Sequence, residues 1–395
     1  MSGPPYRHLG TLPDLTAEDL REPVRALLAD PTARVRAFTG EPVGYESWSR
    51  ASDGLYVVRG TASSDGGDRA WEVVLKQARY RRWQPGRRDL ARQIDDGGDG
   101  PADWAYWRRE ALALASPLLD AADGGGFAAV RCLGVVPLPG ERLRLWLERV
   151  EGTPGDAWTA RELLDTAECL GGFHTRSLRQ QPPHRAWWCR PFVEQAALHA
   201  RFALIDRVAD AATSADPALR RLFPQETVTA LRMLSRRHDE AVRMLRSLPA
   251  GLVHRDLTPR NLFRTAGRTV AIDWGQVGLG PAGEDLATLT LSSAVAADLE
   301  PGATLALGAE AAARHHAGMA AAGGPCDPEA VALAFRLVAA YHFGLPLVRV
   351  ADRLLGGDAA SRSEAADDPD VRRRVAVMTA LVEQAQPDLR TPARG

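Results

Sequence analysis

The chain has 395 residues, 45% of them apolar and 25% charged, with a formal net charge of −1. That length carries a two-lobed enzyme or two ordinary domains around a substantial core, and the composition excludes a disordered chain. A near-neutral balance also excludes the sustained basic surface that an obligate nucleic-acid partner needs. No uninterrupted apolar run approaches the roughly 20 residues of a bilayer span, and the first 15 residues carry no secretion pattern. A cytoplasmic protein without membrane contact is expected. The four cysteines, Cys132, Cys169, Cys189 and Cys326, form no C-x-x-C pair. They read as free, buried thiols and suggest no zinc site.

Leu20, Val24, Leu27 and Leu28 follow the spacing of an amphipathic helix, with Pro23 tolerable only near its first turn. Residues 1–40 therefore read as a helical lead-in. Residues 54–60 and 70–76 are short β-prone runs separated by a turn-rich stretch at 61–69, which predicts a hairpin ending at Lys76. Residues 79–103 form a long loop, in which Arg79, Arg81, Arg82, Arg87 and Arg88 precede the acidic, glycine-rich run 95–100. It reads as a solvated insertion or as a docking segment.

A helix over 104–119 follows, with Trp104, Trp107 and Leu112 inward and Glu110 along its length. Strand candidates at 128–136 and 142–150 are joined by Pro137-Leu138-Pro139-Gly140. Beyond Gly152 the pattern is helical almost throughout. The exception is 251–275, where 251–254 and 269–273 read as strand ends bracketing polar loops. The fold class is thus α+β and bilobal. It divides into an N-terminal helical extension (1–44), a small antiparallel-sheet N-lobe (45–148) and a large mainly helical C-lobe (149–395).

Only one of the 49 Lys and Arg residues is a lysine, Lys76. Where arginine has replaced lysine everywhere else, a retained lysine points to a compact, rotatable ammonium that a planar guanidinium cannot imitate. Asp256 and Asn261 stand five residues apart in the segment His254-Arg255-Asp256-Leu257-Thr258-Pro259-Arg260-Asn261, and Asp273 follows within Ile272-Asp273-Trp274-Gly275. Transfer of a phosphoryl group to a hydroxyl needs residues of these types. One carboxylate accepts the hydroxyl proton, a second holds Mg²⁺ with help from a neutral oxygen ligand, a lysine grips the phosphates and a glutamate steadies the lysine. Asp256, Asp273, Asn261, Lys76 and Glu110 fill those positions.

These segments resemble the aminoglycoside phosphotransferase and choline kinase-like family, relatives of the protein kinases. Residues 254–261 match its H-x-D-x-x-x-x-N, Ile272-Asp273-Trp274 its I-D-[WF] motif, and Gly283-Glu284-Asp285-Leu286-Ala287 its G-x-D-L-A segment. Residues 107–119 resemble its R-E…S-x-L-L helix, 145–152 its hinge, and 167–174 the helix ending in L-G-x-x-H. The resemblance spans about residues 45–350. It implies a protein-kinase-like fold, with Mg²⁺ on Asn261 and Asp273 and ATP or GTP as co-substrate. It further implies an adenine edge on the hinge around Glu148 and Val150, and bracing roles for His254 and Asp285.

Three departures stand out. No G-x-G-x-x-G links the first strands; residues 47–54 stand there instead, with backbone N–H groups near Ser52 and Gly54 available to phosphates. Arg255 occupies the family's usual glycine position. Only eleven residues separate Asp273 from Asp285 and no A-P-E follows, which disfavours a eukaryotic-type protein kinase.

Polycationic aminoglycosides would require an acidic acceptor cleft, yet residues 181–249 hold seven acidic and eleven basic side chains. There Trp187, Trp188, Arg190 and Arg201 suit an aromatic or anionic acceptor, or else a core and a solvated face. Three functions remain open. The first is a small-molecule alcohol kinase acting on a metabolite or antibiotic. The second is a Ser/Thr kinase of a precursor peptide, using the 79–100 loop or the N-terminal helix to dock a peptide or protein partner. The third is a non-catalytic kinase-like binding module.

Overall fold

The computed structural model describes residues 6–7, 12–44, 46–47, 49, 51–81, 100–122, 124–195, 201–324 and 327–390. The centre of the expected 79–100 loop, with Arg82, Arg87, Arg88 and the acidic run, lies outside the described residues, as do Trp48, Arg50 and Cys326.

The N-lobe is a five-stranded antiparallel sheet. Its strands are β1 (Arg34–Pro42), β2 (Ser52–Ser64), β3 (Gly67–Arg79), β5 (Cys132–Leu138) and β6 (Arg142–Glu148), in the order β1-β2-β3-β6-β5. Helix α1 (Ala17–Leu28), capped by Thr16 with a reciprocal bond from Asp19, lays Leu20 and Val24 on one face of this sheet. Tyr56, Val58, Trp71, Val73 and Leu75 meet it there. Strand side chains alternate, so Lys76, next to Leu75, leaves by the opposite face. The buried residues of α1, Leu20 and Val24, are spent on its own sheet.

Several expectations change. Residues 34–42, expected within a helical lead-in, are the edge strand β1, in register with β2. The expected turn at 61–69 is mostly strand, and the hairpin reverses within Ser64 to Gly67. Asp65-Gly66 is the short-turn signal that locates it. The run at 128–136 is split between sheets. Residues Phe127–Ala129 (β4) pair in parallel with Arg268–Ala271 of the C-lobe, crossing the expected boundary, and only Cys132–Leu138 belongs to the N-lobe sheet. Helix α2 covers Arg109–Leu114 alone, and Leu112, expected inward, is 38% exposed.

In the C-lobe, β7 (Thr153–Pro154) leads to the long α3 (Ala160–Gln180), and α4 (Ile205–Thr213), α5 (Pro217–Leu222), α6 (Gln225–Arg236) and α7 (His238–Ser247) follow. Four strands then carry the expected polar loops: β8 (Ala250–Val253), β9 (Leu262–Thr265), β10 (Arg268–Ala271) and β11 (Gly278–Pro281). Strands β4, β10, β9 and β7 make one sheet, and β8 pairs with β11. Helices α8 (Gly283–Ala296), α9 (Pro301–Ala321), α10 (Pro328–Val338), α11 (Leu347–Leu355), α12 (Ala359–Asp367) and α13 (Pro369–Gln384) complete the lobe. A π turn over Ala339–Gly344 joins α10 to α11. The resulting 28-residue stretch Pro328–Leu355 is broken by charges such as Glu329 and Arg336, yet contains an 18-residue window of mean hydropathy 1.6, long and apolar enough by composition to cross a membrane. Two thirds of that window is buried inside the protein, where the stretch packs on α8 and α13 as a core helix.

Candidate active site

The site forms where the inner face of β3 meets the loops after β8 and β10. Lys76 Nζ lies 2.6 Å from Glu110 Oε2 and 2.7 Å from Asp273 Oδ1. Burial alone would favour a neutral lysine, but Asp273 and Glu110 outweigh it and raise the pKa above the usual lysine value. Burial raises the Glu110 carboxyl against the pull of Lys76. Asp273 is held below the ordinary aspartate range because Lys76 overcomes the effect of burial. The three charges therefore act as one unit.

Asp256 and Asn261 sit on the loop between β8 and β9. Asn261 Nδ2 donates to the Asp256 main-chain oxygen at 2.8 Å and to Oδ2 at 3.1 Å, so the amide and the carboxylate are locked to each other. Burial, and then the negative charge of Asp273, raise the Asp256 pKa. A carboxylate biased toward holding a proton suits a group that must accept one from an alcohol.

Beneath the loop, Asp285 is fully buried on the first turn of α8. It accepts from the backbone N–H of His254 at 2.8 Å and of Arg255 at 2.7 Å, and His174 Nε2 lies 3.3 Å away. His254 is also fully buried; its Nε2 donates to Ile272 O at 2.9 Å and its Nδ1 accepts from Asp256 N at 3.2 Å. One imidazole thus ties the Asp256 loop to the strand end that carries Asp273.

Two of the residues at this site hold left-handed backbone: Arg255 at φ 66° and Asp273 at φ 60°. For a residue with a Cβ this conformation costs about 1–2 kcal/mol. At Arg255 the guanidinium offsets the strain. Nε donates to Glu284 Oε1 at 3.0 Å, and the two terminal nitrogens donate to the carbonyls of Cys189 and Leu279. Gly278 makes room for this pair, since a Cβ there would collide with the guanidinium.

Sequence reasoning missed Arg109. Fully buried, it donates to the carbonyls of Pro101, Asp103, Trp104, Trp187 and Gly275, fastening the 100–104 segment and the Asp273 loop to α2. Its place beside Glu110 in the R-E pair was the available signal.

The expected phosphate contacts fare differently. A β-bulge separates Ser52 from Gly54, whose φ is 145°, and Asp53 within it pairs with Arg79 and Arg81 at 3.0 and 2.9 Å. The Ser52 N–H does not remain available, because it donates to Ser49 O at 3.2 Å. Glu148 ends β6, with its N–H donating to Arg131 O at 3.0 Å and its carboxylate accepting from Arg131 N at 2.9 Å. Val150, two residues on, packs against the C-lobe core. Trp188 is buried, and Arg190 lies 3.6 Å from Asp103.

A sheet lysine paired with a helix glutamate, facing an aspartate–asparagine loop on a helical lobe, marks a protein-kinase-like fold. Within that class, residues 67–324 match the model of the phosphotransferase enzyme family, and the chain belongs to this family. Among solved structures, an aminoglycoside phosphotransferase from Alicyclobacillus acidocaldarius superposes with a TM-score of 0.50 at 15% identity, covering 83% of this chain and 90% of its own. Choline kinase LicA from Streptococcus pneumoniae gives 0.41 at 14% identity, over 88% and 96% of the two chains. Amicoumacin kinase hAmiN, in complex with AMP-PNP, Ca²⁺ and Ami, gives 0.46 at 14%, over 89% and 91%. No curated protein sequence shows significant similarity to the chain.

Proposed function

We propose that the protein transfers the γ-phosphoryl group of a nucleoside triphosphate, ATP or GTP, to a hydroxyl of a small molecule, with Mg²⁺ as cofactor. One observation carries the reading. Lys76 is clamped between Glu110 and Asp273 while Asp256, on the adjoining loop, is locked by Asn261.

The donor set suits Mg²⁺, which takes one or two carboxylates and completes its shell with water and phosphate oxygens. Asp273 commits Oδ1 to Lys76 and is 44% exposed, which leaves Oδ2 for a cation. Asn261, anchored through Nδ2, presents its carbonyl oxygen. Bound there, the ion would draw charge from the transferring phosphate. Lys76 would grip the phosphates with Glu110 fixing its position, and Asp256 would aim the acceptor hydroxyl and take its proton. Such catalysis is mostly positioning and charge stabilisation.

The test is transfer of labelled γ-phosphate from Mg·ATP or Mg·GTP into an extract of the source cells, with Asp256→Asn alongside. Label in small molecules that depends on Asp256 supports the proposal. Label confined to peptides moves the acceptor to a precursor peptide. Binding of nucleotide without any Asp256-dependent label would leave a kinase-like binding module.

A further inference from the structure

Arg201 is 5% exposed, and its guanidinium lies over the Phe192 ring at 5.1 Å. Among the described residues neither Nε nor Nη1 reaches a hydrogen-bond partner. A buried guanidinium in that condition is costly, and proteins ordinarily pair it with a carboxylate. Here the acids on neighbouring elements are engaged elsewhere. Glu194 accepts two bonds from Arg246, at 2.8 and 2.6 Å, and Asp352 accepts from Arg207 at 3.1 Å.

The charge acting on Arg201 is a second cation. Burial, and then Arg349, lower its pKa to about 10. His342 stands edge-on to Phe192 with ring centroids 4.0 Å apart. Burial, and then Arg201, bring the imidazole down to about 3, so it adds no charge of its own. His342 is carried by the π turn, closed by the bond from Leu345 N to Ala340 O at 2.7 Å. Single π turns of this kind recur at functional sites.

This cluster adjoins the catalytic loop. The Phe192 main chain lies near the carboxylate of Glu284, whose Oε1 holds Arg255 at 3.0 Å, one residue before Asp256. Three residues upstream, the Cys189 carbonyl accepts from Arg255 and the Cys189 N–H donates to Val277 O, beyond Asp273.

We propose that Arg201, supported by Arg349, is an anion-binding residue of the acceptor site, and that the acceptor alcohol carries a carboxylate or a phosphate group. The assignment rests on the phosphotransfer reading above. The free donors of Arg201 are those that carboxylate and phosphate oxygens take in charge-assisted bonds. An acceptor bound this way would be fixed at its anionic end while its hydroxyl faces Asp256. It also accounts for a buried guanidinium that, among the described residues, has a ring contact but no carboxylate partner.

The test uses the full chain with benzoate and phenyl phosphate as anionic probes and benzylamine as the cationic control, read by thermal unfolding. Both the wild type and Arg201→Met are measured, with and without Mg·AMP-PNP. The expected result is that at least one anion raises the wild-type midpoint, that benzylamine does not, and that Arg201→Met cuts the shift at least fivefold. If Arg201→Met does not fold, Arg349→Met carries the same expectation. No shift from either anion overturns the proposal, as does an equal shift in the variant or from benzylamine. Nucleotide binding without an anion shift defeats this proposal alone. An Arg201-dependent anion shift without nucleotide binding defeats the phosphotransfer reading and leaves an anion site.

Discussion

Lys76 Nζ stands 2.7 Å from Asp273 Oδ1, although 197 residues separate them in the chain. One ammonium joins the inner face of the N-lobe sheet to the C-lobe loop, with Glu110 completing the clamp at 2.6 Å. A guanidinium keeps the charge but is broader, and its planar donors cannot converge on two carboxylates from one point. Lys76→Arg is therefore expected to lower nucleotide-dependent turnover by at least about 100-fold, the scale of losing one preorganised charge contact. Phosphoryl transfer, or slow nucleotide hydrolysis by the full chain, measures it. Unchanged turnover would show that the lone lysine holds no special role.

In the proposed reaction Asp256 would accept the hydroxyl proton; Asn261 fixes it through one bond to Oδ2 at 3.1 Å. Asp256→Asn keeps the shape and removes the base. Turnover should fall by about 10²–10⁴-fold, the usual worth of a positioned base, while nucleotide affinity stays within about twofold. Calorimetric titration beside a rate measurement separates the two. A parallel loss of affinity would place Asp256 in nucleotide binding.

Much of this site was legible because Asp256, Asn261, Asp273 and Asp285 fall in three short segments whose spacing is set by loops, and loop geometry leaves strong residue preferences. The fold was legible where one period dominated, as in the alternation that puts Leu75 and Lys76 on opposite faces of β3. It was not legible at Phe127–Ala129, where one apolar run serves two sheets and only tertiary pairing with Arg268–Ala271 divides it. Strand β1 was missed for a related reason. Its sequence, with Arg34, Arg36, Thr39 and Glu41, is largely exposed at a sheet edge and carries little apolar signal. The bonding of Arg109 to five carbonyls leaves no sequence trace beyond its place in the R-E pair.

The pH dependence should carry the mark of Asp256. Burial and Asp273 raise its pKa, so the acid limb of kcat/KM should lie above the ordinary aspartate range, with activity lost as pH falls through it. Arg260, 3.9 Å from Asp256 Oδ2 and 55% exposed, pulls the other way. Arg260→Met should move the limb further upward, and the effect should shrink in high salt because the pair is exposed. A limb unmoved at low ionic strength would remove Asp256 as the titrating base.

Asp285 contributes to stability in a way that depends on pH. His174 and the two backbone donors hold its folded pKa below the ordinary value, against burial. The stabilisation is complete above the unfolded pKa and is lost as pH falls toward the folded one. Asp285→Ala strands buried donors and should cost about 3–5 kcal/mol, measured by urea unfolding at neutral pH. The variant should also lose part of the wild type's decline in stability on acidification. A variant as stable as wild type would mean that the loop is held without Asp285.

Arg255 sits where a glycine would be free of strain, so Arg255→Gly sets two effects against each other. Relief of the left-handed backbone returns about 1–2 kcal/mol. Loss of the guanidinium leaves Glu284, 3% exposed, buried and unpaired beside the two orphaned carbonyls of Cys189 and Leu279, at about 3–5 kcal/mol. The larger effect wins, and Arg255→Gly should be destabilised by about 1–4 kcal/mol. Adding Glu284→Gln removes the unpaired charge and should recover part of the loss, giving a double-mutant cycle that does not close additively. Additive losses would show that the two residues are stabilised independently and that Arg255 occupies its left-handed conformation for another reason.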